Sequence, residues 1–330
     1  MTADESLLEE AILLALLLER LARRAADDIG SQLENLRNDV LALVVRRDPT
    51  VLRYDANRRA RLEDLISETA GVVSDAYVAI ADRSDRYLLD IADLTQDSSN
   101  ALLASLLLVK GLSRRLDADS LRKARDDARI DGAAVREWWA RQSGDVQFRL
   151  RRALEESMRV YELGEQPTLQ DFVEPVRSDA PGSVFPIALH HAAALIFTAT
   201  HAVASAVRLE TAIRHPEFFK YIRHLSIIDQ KTSDLCRIRN NRLWDLGGNP
   251  VGHGLPFRRP PLHFRCRSHL VPVLHSYADL SPRIQRRVRE QDFTGRPASE
   301  PDLDDWMTAR GMSRNDGPLD VGEARARLGL

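Results

Sequence analysis

The sequence predicts a mostly α-helical protein of the α+β class, in which long amino-terminal helices precede a helical domain with a small β-containing knot of cysteine and histidine residues. Three observations predict this fold class. Apolar side chains recur at three- and four-residue spacing over much of the chain, which is the period of a helix. Short runs rich in β-forming residues stand out at 221–228 and 270–274. Both cysteines lie between those two runs, in a stretch rich in turn residues.

Composition limits the class of protein. The 330 residues suffice for one large domain or for two to three small ones. The net charge of −2 gives no global basic surface for nucleic acid, and two cysteines do not make a disulfide framework. The start of the chain is acidic, unlike a secretory signal, and its apolar run at 11–18 is far shorter than the roughly 20 residues that span a bilayer. We therefore expect synthesis in a reducing cytoplasm and no contact with a membrane.

Residues 1–130 are predicted to form an amino-terminal helical arm or domain. The opening helix is so apolar that most of its surface must be buried. It is either a core helix or a helix that docks on a partner or self-associates, and the pattern leaves both alternatives open. The predicted elements are one or two helices over 5–47 with a candidate break at Gly30-Ser31, a turn at Asp48-Pro49, a helix over 58–92, a loop over 95–100, and an apolar segment over 100–112 that ends at Gly111.

Residues 131–280 are predicted to form the central domain, and 281–330 a linker and tail helix. Trp138 and Trp139 are expected in the core rather than in a ligand platform, because large aromatic side chains dominate burial. No His-Glu-x-x-His pair occurs on the late apolar helix, which excludes a helical zinc-protease site. The predicted elements are a helix from Asp131-Gly132 to Gly164, a capping box at 168–171, a helix over 186–214, the two strands, a helical segment over 282–291, a linker over 294–301 and a tail with Trp306.

The knot, 229–272, contains the side chains that could take part in binding or in chemistry. Asp229 and Thr232 flank the turn after the first strand, where short oxygen-bearing side chains bond backbone N–H groups and hold a loop. Pro260 and Pro261 predict an extended entry to the second half of the knot. They deliver a histidine and a cysteine, three residues apart, opposite the first cysteine.

Two interpretations of the thiols stay open. Cys236, His263 and Cys266 have the chemistry of a structural zinc site, with His253 or His269 as the fourth ligand. The alternative, which we favour, is a packed core of two buried thiols and a hydrogen-bonded histidine, without cofactor.

Catalysis is not expected. A zinc deaminase needs a glutamate as proton shuttle, and none occurs between 229 and 275. A cysteine nucleophile with a histidine base is conceivable for Cys266 and His263, but no family-specific cysteine signature surrounds either residue.

The knot region is locally basic. Over 221–275 the chain has nine basic and three acidic side chains, a local charge of +6 in a protein of net charge −2. Such a patch can contact a phosphate backbone or an acidic protein surface. The candidate contact residues are Arg237, Arg239, Arg242, Arg258, Arg259 and Arg265.

The knot resembles the signature of the phage head morphogenesis family, the Mu F-like minor head proteins. Their signature is similar to Asp-x-x-Thr-Cys-x-x-Cys, a glycine-bearing loop, Pro-Pro-x-His-Pro-x-Cys-Arg-Cys and a short hydrophobic strand. This chain departs from it at Ser233, Phe264 and Ser268, so a four-thiolate zinc site cannot form. The resemblance covers roughly 130–330 and fades over 1–130. The matching residues are Asp229, Thr232, Cys236, Pro260, Pro261, His263, Cys266 and Arg267.

The resemblance implies a minor structural protein of a tailed-phage-like particle. Such a protein would be made in the host bacterial cytoplasm and built into the head near the portal. Its expected partners are the portal or major capsid protein and the packaged DNA. One alternative is a DNA-binding module stapled by zinc or by its thiols. An enzyme or a relative of toxin fusions is the less favoured alternative.

Overall fold

The computed structural model describes residues 1–48, 50, 57–107, 115–162, 166–313 and 315–330. It confirms the predicted fold class, because 64% of the chain is helical and the few strands are short. The predicted turn at Pro49 and the predicted helix ends at Gly111 and Gly164 lie outside the described residues.

The described residues form ten α-helices and six strands. The helices are α1 (Ala3–Arg47), α2 (Asn57–Leu107), α3 (Ala118–Asp126), α4 (Val135–Glu162), α5 (Leu169–Arg177), α6 (Val184–Arg214), α7 (Asp234–Arg237), α8 (Pro282–Gln285), α9 (Leu303–Ala309) and α10 (Val321–Leu328). The strands are β1 (Arg129–Ile130), β2 (Ala133–Ala134), β3 (Phe219–Leu225), β4 (Leu243–Asp245), β5 (Pro250–Val251) and β6 (His269–Leu274). Short 3-10 turns follow at Tyr277–Asp279 and Glu290–Asp292.

The chain folds into two compact units, each built from separate stretches. Unit A contains Met1–Arg24, Arg86–Ala134 and Phe197–Leu330, and unit B contains Ala25–Asp85 and Val135–Ile196. Unit A takes residues from all three predicted segments, 1–130, 131–280 and 281–330. The division of the chain into three domains at these boundaries stays a prediction.

Neither the candidate break at Gly30-Ser31 nor the predicted loop over 95–100 interrupts a helix, and the second of these predictions is wrong. Helix α1 runs without interruption through Gly30, which bears out the alternative of a single helix over 5–47. The predicted loop over 95–100 is part of helix α2. Two of its polar side chains are satisfied inside the fold, since Thr95 Oγ1 donates to the Ile91 carbonyl and Gln96 Oε1 accepts from the Leu116 amide.

The predicted helix start at Asp131-Gly132 is also wrong. These two residues connect strands β1 and β2 in a tight antiparallel hairpin. Both have positive φ angles, 47° for Asp131 and 79° for Gly132. A two-residue hairpin turn with positive φ at both positions favours this dipeptide, so helix α4 begins only after the hairpin, at Val135.

The four-stranded sheet of unit A has the strand order β5-β4-β3-β6, and its neighbouring strands are antiparallel. Strand β6 contains Pro272 and is an edge strand, which confirms the position predicted from that proline. Strands β4 and β5 form a hairpin that the sequence analysis did not predict. In the register, Ile222 of β3 pairs with Trp244 on one side and with Pro272 on the other.

The start of helix α1 contributes to the core of unit A. Its apolar side chains pack in two clusters that include residues of strands β3 and β6. The opening helix therefore buries its apolar side chains within this chain, while docking on a partner or self-association stays a prediction. The α1 residues in these clusters are Ala3, Leu7, Leu8, Ala11, Ile12 and Leu16.

Unit B has a core built around Trp139. Its side chain is 1% exposed, and its ring centroid lies 6.4 Å from that of Tyr77. Helix α5 begins at the predicted capping box, in which the Thr168 amide donates to Asp171 Oδ2 at 2.7 Å.

Helix α6 is long and apolar enough, by length and composition alone, to cross a membrane. Within the fold, 83% of the most apolar 18-residue stretch of this helix is buried. A buried core helix has the same composition, so this feature does not assign a membrane span.

Candidate functional site

The knot is assembled from two halves that meet beside the sheet of unit A. The first half leaves strand β3 and ends in helix α7, whose amino-terminal cap is Ser233. The second half enters through Pro260 and Pro261, whose peptide bond is cis, and leads into strand β6. Between the halves, the β4–β5 hairpin extends the sheet.

An ion pair between Asp229 and Arg267 joins the two halves. Arg267 Nη1 donates to Asp229 Oδ2 at 2.7 Å, and Nη2 donates to Oδ1 at 2.6 Å. This two-bond geometry is the strongest form of the carboxylate–guanidinium contact. The hydrogen bonds from Arg267 hold the pKa of Asp229 well below its usual range, so the carboxylate stays charged.

The loop between β3 and α7 is held by Asp229 and Thr232. Asp229 Oδ1 accepts from the Lys231 amide at 2.8 Å. Thr232 Oγ1 donates to the Ile227 carbonyl at 2.7 Å and accepts from the Asp229 amide at 2.8 Å. These are the loop-holding contacts that the sequence predicts for the two side chains.

Cys236, His263 and Cys266 form one cluster, with all three candidate ligand atoms within 4.8 Å of one another. The two Sγ atoms are 3.7 Å apart, and Cys236 Sγ lies 3.2 Å from His263 Nε2. His263 Nδ1 donates to the Phe264 carbonyl at 2.7 Å. Because this bond keeps the proton on Nδ1, Nε2 carries a lone pair, and its neighbours are Ser233 Oγ at 2.8 Å and Cys236 Sγ at 3.2 Å.

The electrostatics of the two thiols are opposite. The pKa of Cys236 is lowered, first by the hydrogen bond that it shares with Cys266 and then by the nearby polar side chains of His224, Ser233 and Ser268. The pKa of Cys266 is raised by the same hydrogen bond and by burial. The two shifts are opposite in direction because the two thiols share one hydrogen bond.

This donor set fits a tetrahedral metal ion. A zinc ion with Zn–S bonds of about 2.3 Å separates two sulfur ligands by about 3.7 Å. The observed Sγ–Sγ distance is 3.7 Å. The Nδ1–H bond of His263 to a backbone carbonyl is the kind of outer contact that orients a histidine ligand. The cluster could therefore hold a metal ion.

The structure does not bring His253 into this cluster. Its Nε2 donates to the Leu243 carbonyl at 2.8 Å, and its Nδ1 accepts from the Leu255 amide at 3.2 Å. Its ring packs edge-on against Trp244, with centroids 4.8 Å apart. Both ring nitrogens are therefore in use inside the β4–β5 hairpin region.

His269 also lies outside the cluster. It is 3% exposed and packs against His201, with ring centroids 4.9 Å apart. Burial, the neighbouring histidines and Arg208 lower its pKa well below 6.5, so its ring is neutral. Nε2 of His269 has no hydrogen-bond partner within the described parts of the chain.

The candidate contact arginines divide into two groups. Arg237 donates to the carbonyls of its own loop, Arg259 Nη2 donates to the Asp127 carbonyl, and Arg239 is 4% exposed. These three side chains support the fold. Arg237 is exposed but held by these bonds, and the other exposed members of the set are Arg242, Arg258 and Arg265.

Polar side chains surround the cluster, and their part in the site was not predicted from the sequence. Ser233 Oγ lies 2.8 Å from His263 Nε2. Ser226 Oγ lies 3.0 Å from Ser268 Oγ and donates to the Cys236 carbonyl at 3.1 Å. His224 is buried, and its ring nitrogens have no hydrogen bond of full geometry among the described residues, yet its proximity lowers the pKa of Cys236. Ser233 and Ser268 could have been found, because they stand where the resembled signature has cysteine.

Comparison with family models, curated proteins and solved structures gave no match to this chain. The functional argument therefore rests on the residues of the knot and on the resemblance of its motif.

Proposed function

We propose that this protein is a minor structural protein of the head of a tailed-phage-like particle, located near the portal, and that it performs no catalysis. The observation that carries the proposal is the Asp229–Arg267 ion pair, which closes the two halves of the motif into one knot. Residues matching the resembled signature are separated in sequence and meet at this point. A shared architectural role explains why the motif combines loop-holding and turn-forming residues rather than an acid, a base and a nucleophile.

The described contacts of the motif support an architectural role. Asp229 and Thr232 hold backbone groups, and Arg267 holds Asp229. The two thiols are 3% and 1% exposed, which leaves little access for a substrate. A knot whose two halves are joined by an ion pair and hydrogen bonds is suited to present a fixed surface to a neighbouring protein in an assembly.

Sedimentation tests the proposed location. The chain would be co-expressed with the portal and capsid proteins of the genome that encodes it, and assembled heads would be separated on a gradient. We expect the chain to migrate with the heads. Arg267→Gln should reduce incorporation, whereas Arg283→Gln, at an exposed position outside the knot, should not. Assembled heads without the chain, which instead stays at the top of the gradient, would overturn the proposal.

We further propose that the ion held by the Cys236–His263–Cys266 cluster is zinc, which would staple the two halves beside the ion pair. Two thiolates and an imidazole are ligands that zinc prefers. Metal content would be measured by mass spectrometry on protein purified without chelator. We expect about one zinc per chain, lost in Cys236→Ser and in Cys266→Ser. His253→Gln is the matched control and should retain the metal. Equal metal content in all four proteins would contradict this assignment.

DNA contact is the second candidate function, and the exposure of Arg242, Arg258 and Arg265 favours it. Binding of double-stranded DNA would be measured at several salt concentrations. Replacing these three arginines with glutamine should weaken binding and flatten its salt dependence, because phosphate contacts release counterions. The control is Arg259→Gln, whose side chain bonds the Asp127 carbonyl. Unchanged binding in the triple variant would exclude this surface.

A further inference from the structure

We infer that the Cys236–His263–Cys266 cluster is a three-ligand metal centre with an open fourth coordination position, located at Ser233. This inference rests on the proposed metal binding by the knot and not on the proposed location in a particle. A closed structural zinc site has four protein ligands, whereas a site with three protein ligands takes water or another small donor as the fourth.

The position of Ser233 carries the inference. Its Oγ lies 2.8 Å from His263 Nε2, and it accepts from the Cys236 amide at 3.4 Å. Ser233 therefore lies beside the His263 donor atom and caps the helix that carries Cys236, so a fourth ligand on this side of the cluster would lie within reach of its hydroxyl.

The side of the cluster near Ser233 is the one closest to solvent. Cys236 and Cys266 are buried, at 3% and 1% exposure. His263 and Ser233 are half-buried, so the side of the cluster that they form is closest to solvent. A metal ion held by the inner thiolates would direct its fourth position outward.

The other polar side chains nearby are poorer candidates for this corner. Ser268 Oγ is buried and lies 3.0 Å from Ser226 Oγ, on the inner side of the cluster. His253 has both ring nitrogens in use. His224 lies near Cys236, but its ring nitrogens are not among the atoms that fall within 4.8 Å of one another.

A neutral serine hydroxyl is not one of the side chains that zinc usually recruits. The fourth position is therefore exchangeable, and its occupant is a water molecule or a small monodentate anion that Ser233 can hydrogen-bond. In the resembled signature a cysteine stands at this position, and a thiolate there would close the centre.

The experiment uses the full-length chain loaded with cobalt(II), whose visible absorption reports coordination number and ligand type, and azide as the probe anion. Wild type, Ser233→Ala, Ser233→Cys and Ser268→Cys are titrated with azide after one equivalent of cobalt. We expect azide to change the spectrum of wild type and of Ser233→Ala. Ser233→Cys should add thiolate-to-metal absorption and lose the azide response. Ser268→Cys is the matched control and should keep it.

The outcomes separate the two levels of the proposal. No cobalt binding by wild type would overturn metal binding by the knot itself. Cobalt binding without an azide response in wild type and in Ser233→Ala would overturn only the open position. An azide response lost in Ser268→Cys and kept in Ser233→Cys would place the fourth corner at residue 268 instead. Circular dichroism spectra of the four proteins verify that each is folded, and a Ser233→Cys chain that unfolds is replaced by Ser233→His for the same comparison.

Discussion

Replacing Asp4 with asparagine is expected to remove a pH dependence of stability that one buried carboxyl group creates. Asp4 lies in the first turn of helix α1 and is 4% exposed. Its Oδ1 accepts from the Leu274 amide at 3.2 Å, while Oδ2 has no hydrogen-bond partner within the described parts of the chain. Burial raises the pKa of Asp4 from 3.8 to about 6, partly offset by the bond from Leu274.

The sign and size of the effect follow from this pKa. Between pH 4 and 6 the folded protein holds a proton on Asp4 that the unfolded chain has released. Raising the pH through this window therefore lowers stability, because the folded state must bury a charge. Each pH unit of pKa difference is worth about 1.4 kcal/mol, so the full effect is about 3 kcal/mol. Above pH 7 no further loss is expected from this group.

Equilibrium urea unfolding, followed by circular dichroism from pH 4 to pH 8, would measure the effect. The relevant quantity is the free energy of unfolding of wild type minus that of Asp4→Asn, since other titrating groups cancel in this difference. We expect it to fall by about 2.5 kcal/mol across the range, since a small part of the full effect lies below pH 4. The control is Asp64→Asn, at an exposed position, for which the difference should stay flat. A flat difference for Asp4→Asn as well would refute the reasoning.

Three further predictions concern the knot and the core. Asp229→Asn and Arg267→Gln should each destabilise the protein by about 2 kcal/mol, and the double variant by clearly less than the sum, because both break one two-bond contact. A double-mutant cycle measured by urea unfolding tests this, and strict additivity would contradict it. Trp139→Ala should cost about 3–5 kcal/mol and Trp138→Ala clearly less, because only the first ring is fully buried. Thermal unfolding of the two variants ranks them, and equal costs would argue against the assigned core. Both cysteines should react slowly with a thiol reagent in the folded protein and rapidly in urea; rapid labelling without denaturant would show that the thiols are accessible.

The long helices and the two main strands were predictable because their patterns are long and internally consistent. The apolar spacing over 186–214 predicts helix α6 to within two residues at its start. The β-forming run at 221–228 overlaps strand β3, and Pro272 indicated the edge position of strand β6. In each case local propensity and burial favour the same structure, which is the condition under which sequence patterns are informative.

The errors arise where tertiary contacts or very short elements decide the structure. Thr95 and Gln96 are polar, but inside helix α2 they find buried hydrogen-bond partners, so the expected loop does not form. Strands β4 and β5 have only three and two residues, too few to show a strand periodicity. Asp131-Gly132 is a hairpin signal as well as a helix-start signal, and the choice depends on the strands that flank it.

The candidate cluster was predictable in its three central residues and not in its fourth position. His263 and Cys266 are three residues apart, so a single turn brings their side chains together. The resembled motif places Cys236 opposite these two residues. No spacing rule shows that the β4–β5 hairpin holds His253 against Trp244, or that His269 packs against His201. Those contacts depend on the fold of the whole of unit A.

The two serines of the knot are not equivalent, and this difference decides what the cluster can do. Ser268 faces inward and shares a buried hydrogen bond with Ser226, so it contributes to a packed core whether or not a metal is bound. Ser233 caps helix α7 and faces the half-buried side of the cluster, where its hydroxyl contacts His263. A cysteine at 268 would lose a buried hydrogen bond worth about 1 kcal/mol without reaching the accessible corner. A cysteine at 233 would lose a helix cap that contributes a similar free energy, but a metal–thiolate bond would offset that loss. With a metal ion bound by the three proposed ligands, a cysteine at 233 would complete a four-ligand site, and a cysteine at 268 would not. The reason is that the inner side of the cluster is occupied by the Ser226–Ser268 hydrogen bond.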